Sequence, residues 1–283
     1  MTSETPAAFR TDNYEIAEAI APTWERRRDD IEKVSTPVRD WMLRELRSKE
    51  GDTLLELAAG VGETGFQAAA ALGERGRLIT TDLSPAMLDA ARRRGAELGV
   101  KNVTYEVMDA ERLDLEADSV DGVLCRFGYM LMADQAAALA ETRRVLRSGG
   151  RLALASWGVP ERNPYFALIG MSLGLRGHIP PLEPPPAPGP FSMASPERTT
   201  ALLEGAGFDE VVTEEVPVRF VVADVDEYVD LIADTAGPLA LVLRALPDAE
   251  RASVRGEIER AFSRFAVRDR YELPGVALCA VAS

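Results

Sequence analysis

From residue 51 to 157 the apolar positions change rhythm at regular intervals. Short apolar runs at 54–57, 77–81, 103–108, 120–127 and 151–157 predict strands, the first of them a buried parallel strand after the turn signal Gly51-Asp52. Between them, apolar residues three and four positions apart predict helices that begin near Glu63, at Ser84-Pro85 and near Ala133. Ser84-Pro85 supplies a side-chain cap and a pre-set first turn, and Gly99 a C-terminal stop. Parallel strands need a crossover between them, so this alternation predicts βαβ units and an α/β fold with a doubly wound, mostly parallel sheet.

The rhythm differs on either side. Residues 14–35 have helical spacing broken at Pro22, and Thr36-Pro37 opens a further helix to about Ser48, so 1–50 is expected to be an N-terminal helical cap packed on the sheet by Trp24 and Trp41. Beyond Trp157 a helix is predicted over 162–175, followed by a proline-dense stretch, 178–195, expected to run as an extended loop. A helix from Ser195-Pro196 to Gly205, a strand over 210–220, helices over 225–235 and 248–267 and a last strand over 274–282 complete the chain. The expected organisation is a single domain over 1–283: cap 1–50, core 51–158, helix and proline loop 159–195, and last strands 196–283 with a helical insertion at 224–268.

Charge narrows the function classes. A formal net charge of −14 and a pI near 4.7 set the chain against nucleic acid and anionic membrane, both repelled at long range. A small-molecule substrate is the expectation, with a homo-oligomer left open. The start MTSETPAAFR has no basic-then-apolar leader, and no stretch approaches the roughly 20 apolar residues a bilayer needs, so a cytoplasmic location without membrane insertion is expected. Cys125 and Cys279 sit in apolar runs as buried thiols, and a lone histidine leaves zinc no ligand cluster, so no metal is expected.

The chemistry concentrates between Asp52 and Asp82. A strand there runs into Ala58-Ala59-Gly60-Val61-Gly62, small residues that let backbone approach a ligand, and the next helix aims its amide end at the same place. Two kinds of nucleotide cradle share this layout. Gly60-x-Gly62-x-x-Gly65 with Asp82 closing the second strand satisfies the dinucleotide fingerprint and would mean NAD. Against it stands Glu56, a carboxylate ahead of the glycines that would repel a diphosphate and suits a cationic or zwitterionic ligand.

Glu56-x-Ala58-x-Gly60-x-Gly62 resembles the first motif of class I S-adenosylmethionine-dependent methyltransferases, with Ala58 in place of the first glycine. The extra methyl is tolerable if Ala58 keeps negative φ. Thr81-Asp82-Leu83-Ser84-Pro85-x-Met87 resembles the family's second motif, and Arg143-Arg144-Val145-Leu146-Arg147-Ser148-Gly149-Gly150 a turn the family carries and dinucleotide enzymes have no reason to keep. Closest is the bacterial small-molecule branch related to ubiquinone and menaquinone biosynthesis. The resemblance implies a Rossmann-like sheet of seven strands, the last antiparallel, and S-adenosyl-L-methionine as cofactor. It also implies site roles: Glu56, Ala58, Gly60 and Gly62 around the methionine moiety, with Glu56 on its amino group; Asp82 on the ribose hydroxyls; Leu83 and Met87 flanking adenine; Asp109 and Ala110 at the adenine amino group. Arg126 and Phe127 close the fourth strand, where the cofactor meets the acceptor; Arg126 pairs with a ligand carboxylate or with a local acid such as Glu56. In this family the N-terminal segment often closes over the cofactor, which puts Tyr14 or Trp24 at the ligand or in packing. His178 is the candidate general base, against the plainer reading of a solvated loop histidine. The implied reaction is methyl transfer to an O, N or C nucleophile of an apolar or aromatic metabolite; the alternatives are an NAD-dependent oxidoreductase and a non-catalytic S-adenosylmethionine-binding protein.

Overall fold

The computed structural model describes residues 6–180 and 188–283, so much of the proline-dense stretch, 181–187, lies outside the described residues. Helix α1 (Pro6–Leu46) precedes β1 (Thr53–Glu56), α2 (Glu63–Ala71), β2 (Arg77–Asp82), α3 (Pro85–Leu98), β3 (Val103–Val107) and β4 (Val120–Arg126). Then come α4 (Gln135–Val145), β5 (Leu146–Trp157), α5 (Pro164–Leu175), α6 (Pro196–Gly205) and β6 (Val212–Val222). The chain ends with α7 (Val225–Thr235), α8 (Pro238–Ala245), α9 (Asp248–Phe262), β7 (Ala266–Val267) and β8 (Arg270–Ala282).

The strands form one sheet in the order β3-β2-β1-β4-β5-β8-β6, with β7 paired to β8 alone. β1 to β5 pair in parallel, and β8 runs antiparallel to β5 on one side and β6 on the other, as the sequence predicts for the last strand. Strand order reverses where β1 lies between β2 and β4, and in such sheets the carboxyl ends at the reversal open a crevice for ligands. Glu56, at the end of β1, pairs with Thr80 of β2 and Leu124 of β4, so whatever follows these three strands converges on one place.

Local capping follows the sequence closely. Ser84 Oγ accepts from Met87 N at 3.1 Å, Gly99 closes α3 in the left-handed region, and Asp224 caps α7 by accepting from Glu227 N at 2.8 Å.

The N-terminus departs from expectation. Pro22 and Pro37 do not divide the segment; both lie inside one 41-residue helix. An internal proline costs about 3 kcal/mol through its missing N–H and its clash with the preceding turn. Against two such costs stand Ile20, Val38, Trp41, Met42 and Leu46, each 5% exposed or less. Burial of a large apolar side chain is worth about 1.5–3 kcal/mol, so packing outweighs the breakers. Two further corrections fall near the C-terminus. The apolar PLALVLRA after Gly237 forms α8, which was not anticipated, and the predicted helix to 267 stops at Phe262, giving way to the hairpin of β7 and β8.

Candidate active site

The crevice floor is the turn from β1 to α2. It is held by its neighbours: Leu57 N donates to Leu124 O (2.9 Å), Ala59 N to Thr81 O (3.0 Å), and Thr81 Oγ1 to Glu56 O (2.8 Å). Gly60 and Gly62 have φ of +56° and +85°, where a side chain is strained. Ala58 was expected at negative φ, but it too is left-handed, at +49°, a cost of about 1–2 kcal/mol for a residue with a Cβ. Its methyl faces Gly128, where an added Cβ would come within 2.7 Å of it. Phe127, beside Gly128, is also left-handed at +61°, so strained backbone gathers at the ends of β1 and β4, as is common where ligands bind.

Glu56 is 3% exposed. Its Oε1 accepts from Gly65 N at 2.7 Å and its Oε2 from Thr80 Oγ1 at 3.3 Å. Burial pushes its carboxyl up to about 8, against the Gly65 amide, the Arg126 charge and the Thr80 hydroxyl, which favour the ionised form. A Cβ on Gly65 would run into the Glu56 carboxylate. The third glycine of the apparent dinucleotide fingerprint is therefore required by Glu56. One of the α2 amides on which a diphosphate would sit is already taken.

Asp82 also serves the turn, its Oδ2 accepting from Gly60 N at 2.8 Å and its Oδ1 from Ser84 N at 2.9 Å; burial raises its carboxyl above the usual range. Each oxygen keeps a lone pair for a ligand. Met87 is buried and Leu83 half-buried beside it. On β3's side, Asp109 Oδ1 accepts from Glu111 N at 2.9 Å, with Ala110 half-buried between them.

Helix α1 lies across all of this. Trp24 covers Gly60, its Cζ3 3.4 Å from where a Cβ would stand there, and its Nε1 donates to Thr235 O at 3.0 Å. Ile20 and Ala21 cluster with Val61, Met87 and Ala90. Glu18 Oε1 accepts from Ser84 Oγ at 2.5 Å and Ala86 N at 3.0 Å, and Arg10 pairs with Glu111 and, at 3.6 Å, with Asp109. Tyr14 is 39% exposed, so of the two candidate aromatics it is Trp24 that meets the turn.

Arg126 pairs with an acid other than Glu56: its Nη1 is 2.6 Å from Glu32 Oε1 of α1. Phe127 stacks on Trp157, centroids 4.1 Å apart and planes 12° from parallel, and Trp157 packs on Phe166 at 4.9 Å. His178 is not drawn into this group: its Nε2 faces Glu250 Oε2 of α9 at 3.2 Å, beside Arg176 on the same carboxylate at 3.0 Å. Two polar groups here went unnoticed in the sequence. Glu18 had no local signal, and Thr64, in the first turn of α2, has a buried hydroxyl without a hydrogen-bond partner among the described residues.

The cradle thus presents acids and a spare hydroxyl around a glycine turn, which fits a ligand with a cationic amino-acid headgroup. Residues 54–150 match the methyltransferase domain family. Over those residues, about a third of the chain, the protein carries a methyltransferase domain. That match supports S-adenosyl-L-methionine as the cofactor over NAD. The domain is 28% identical over 131 residues to the ubiquinone/menaquinone biosynthesis C-methyltransferase UbiE of Coxiella burnetii, covering 46% of this chain and 52% of that one. It is 34% identical over 106 residues to the aklanonic acid methyltransferase DauC of Streptomyces sp. strain C5, covering 38% and 48%. The chain thus spans about half the length of these curated relatives. In fold it resembles an S-adenosylmethionine-dependent methyltransferase from Aquifex aeolicus, at 21% identity and TM-score 0.50 over 72% of this chain and 92% of that one. Among the described residues no helix is long and apolar enough to cross a membrane.

Proposed function

We propose that this chain transfers a methyl group from S-adenosyl-L-methionine to an O, N or C nucleophile of a small, apolar or aromatic acceptor. The observation that carries the cofactor half is the Glu56 carboxylate seated on the Gly65 amide, which turns a nucleotide cradle against diphosphate and toward an ammonium. When bound, S-adenosylmethionine supplies a sulfonium methyl that passes in line to the acceptor's electron pair while the carbon–sulfur pair stays with sulfur.

The chain's own residues position and enclose. Glu56, Ala58, Gly60 and Gly62 take the methionine end, with a Glu56 lone pair toward the amino group and the Thr64 hydroxyl, unpartnered among the described residues, toward the carboxylate. Asp82 takes the ribose hydroxyls, Leu83 and Met87 the adenine faces, and Asp109 with Ala110 the adenine edge. Trp24 and Ile20 of α1 keep water from the turn. Orienting two reactants in this way accounts for up to about 7–11 kcal/mol of a barrier. Because His178 is engaged with Glu250, the reading assigns no histidine base, and the acceptor's proton leaves to solvent or is already gone. The aromatic wall of Phe127, Trp157 and Phe166 and the names of the two relatives support a small aromatic acceptor.

Two measurements test this. Calorimetry with S-adenosylhomocysteine and with NADH should show binding of the first alone; binding of NADH alone would end the reading. Transfer of label from methyl-labelled cofactor to a panel of quinols, phenols and amines should mark at least one of them. Cofactor binding with no transfer to any acceptor class would leave the non-catalytic alternative in its place.

A further inference from the structure

The ion pair between Arg126 and Glu32 is poorly completed. Nη1 and Oε1 are 2.6 Å apart, yet neither atom makes a hydrogen bond among the described residues, although both are buried. Such a pair carries its desolvation cost without the alignment that would offset it. Glu32 does not depend on it, because Arg39 Nη1 donates to Glu32 Oε2 at 3.1 Å. A second carboxylate could therefore take the Arg126 guanidinium and leave Glu32 with Arg39, stranding no charge.

The surroundings indicate what such a carboxylate would belong to. Arg126 ends β4, the strand beside β1, and the turn that follows it backs onto Ala58 through Gly128. The next side chain, Phe127, is half-buried and stacks on the buried ring of Trp157. A guanidinium and a half-buried aromatic ring, Phe127, thus follow one another at the end of β4 beside the glycine turn. The cofactor's own carboxylate has other donors, at the first turn of α2 where Thr64 Oγ1 is 3% exposed by residue and unpartnered among the described residues.

We propose that Arg126 is the receptor for a carboxylate of the methyl acceptor, so that the acceptor is an aromatic carboxylic acid lying against Phe127, which Trp157 backs. This rests on the methyltransferase reading above and deepens it. The carboxylate serves as an anchor and not as the attacked atom, since charge-assisted bonds to a guanidinium draw off the electron density a nucleophile needs.

The test is calorimetry of 2-naphthoate against 2-naphthamide, with and without saturating S-adenosylhomocysteine. The acid should bind at least about tenfold tighter than the amide, the low end for hydrogen bonds to a charged group. Arg126→Met should bring that ratio close to one. Glu32→Gln, which releases the guanidinium while Gln still accepts from Arg39, should tighten the acid and not the amide. An absent preference in the wild type, one that survives Arg126→Met, or weaker acid binding in Glu32→Gln would each overturn the assignment. Should Arg126→Met not fold, Glu32→Gln decides alone. Failure of S-adenosylhomocysteine to bind would strike the methyltransferase reading, and the acid-to-amide ratio without it would still decide Arg126.

Discussion

Glu56 gives the fold a pH dependence whose sign can be worked out. Its carboxyl is raised from about 4.5 to about 8 in the folded chain, chiefly by burial, so between those values the folded state holds a proton that the unfolded state has lost. Stability therefore falls as pH rises through this window, and below about 4.5 both states are protonated and the group contributes no slope. At roughly 1.4 kcal/mol per pH unit the window from 4.5 to about 8 corresponds to a loss on the order of 5 kcal/mol. Glu56→Gln keeps an acceptor for Gly65 N and cannot ionise. Urea unfolding at pH 4.5, 6 and 8 should then give a stability difference between the two that is smallest at the lowest pH and changes progressively in the variant's favour, with the variant the more stable at pH 8. A cationic headgroup should draw the same proton out, so S-adenosylmethionine binding at pH 7 should release close to one proton, read by calorimetry in buffers of differing ionisation enthalpy. Parallel wild-type and Glu56→Gln stabilities across this range would refute the reasoning.

Other positions make separate predictions. Gly65→Ala forces the Glu56 carboxylate off its amide, and S-adenosylhomocysteine affinity should drop by about tenfold or more, the equivalent of one lost hydrogen bond to a charged group; unchanged affinity in calorimetry would exclude Glu56 from the site. Ala58→Gly removes a left-handed Cβ at the cost of a more flexible unfolded chain, so a net gain of about 0.5–1 kcal/mol is expected in urea unfolding, and a loss would show that the methyl packs usefully against Gly128. Trp41→Phe leaves Glu214 Oε2 without the indole N–H that reaches it at 2.8 Å and should cost about 1–3 kcal/mol of stability, without a change in cofactor affinity by the same calorimetry.

What the sequence made legible was what is decided locally. Ser84-Pro85 and Gly99 bracket α3 because a cap, a fixed φ and a left-handed stop act on their own neighbours, and β1, β2, β4 and β5 follow from apolar runs that the structure buries, while β3, at the sheet edge, is largely exposed. Asp82 and the glycine turn were recognisable for the same reason. Pro22 and Pro37 look like breaks in the sequence because their cost is local while the compensation, burial of Trp41 and Met42, is not. The partners of Arg126 and His178 are Glu32 and Glu250, far away along the chain, and no spacing rule links them. Glu18 reaches Ser84 from a helix whose sequence looks like any solvated face. The left-handed φ of Ala58 belongs to the crossing from β1 into α2 and leaves no mark on residue type.

The contact between Glu56 and Gly65 ties two positions nine residues apart by volume. A glutamate reaches far enough under the first turn of α2 to fill the space a methyl group would need. Shortening it to aspartate would vacate roughly one methylene. In chains that diverge from this one, a longer acid should travel with glycine and a shorter acid should permit alanine, so drift at either site is constrained by the other.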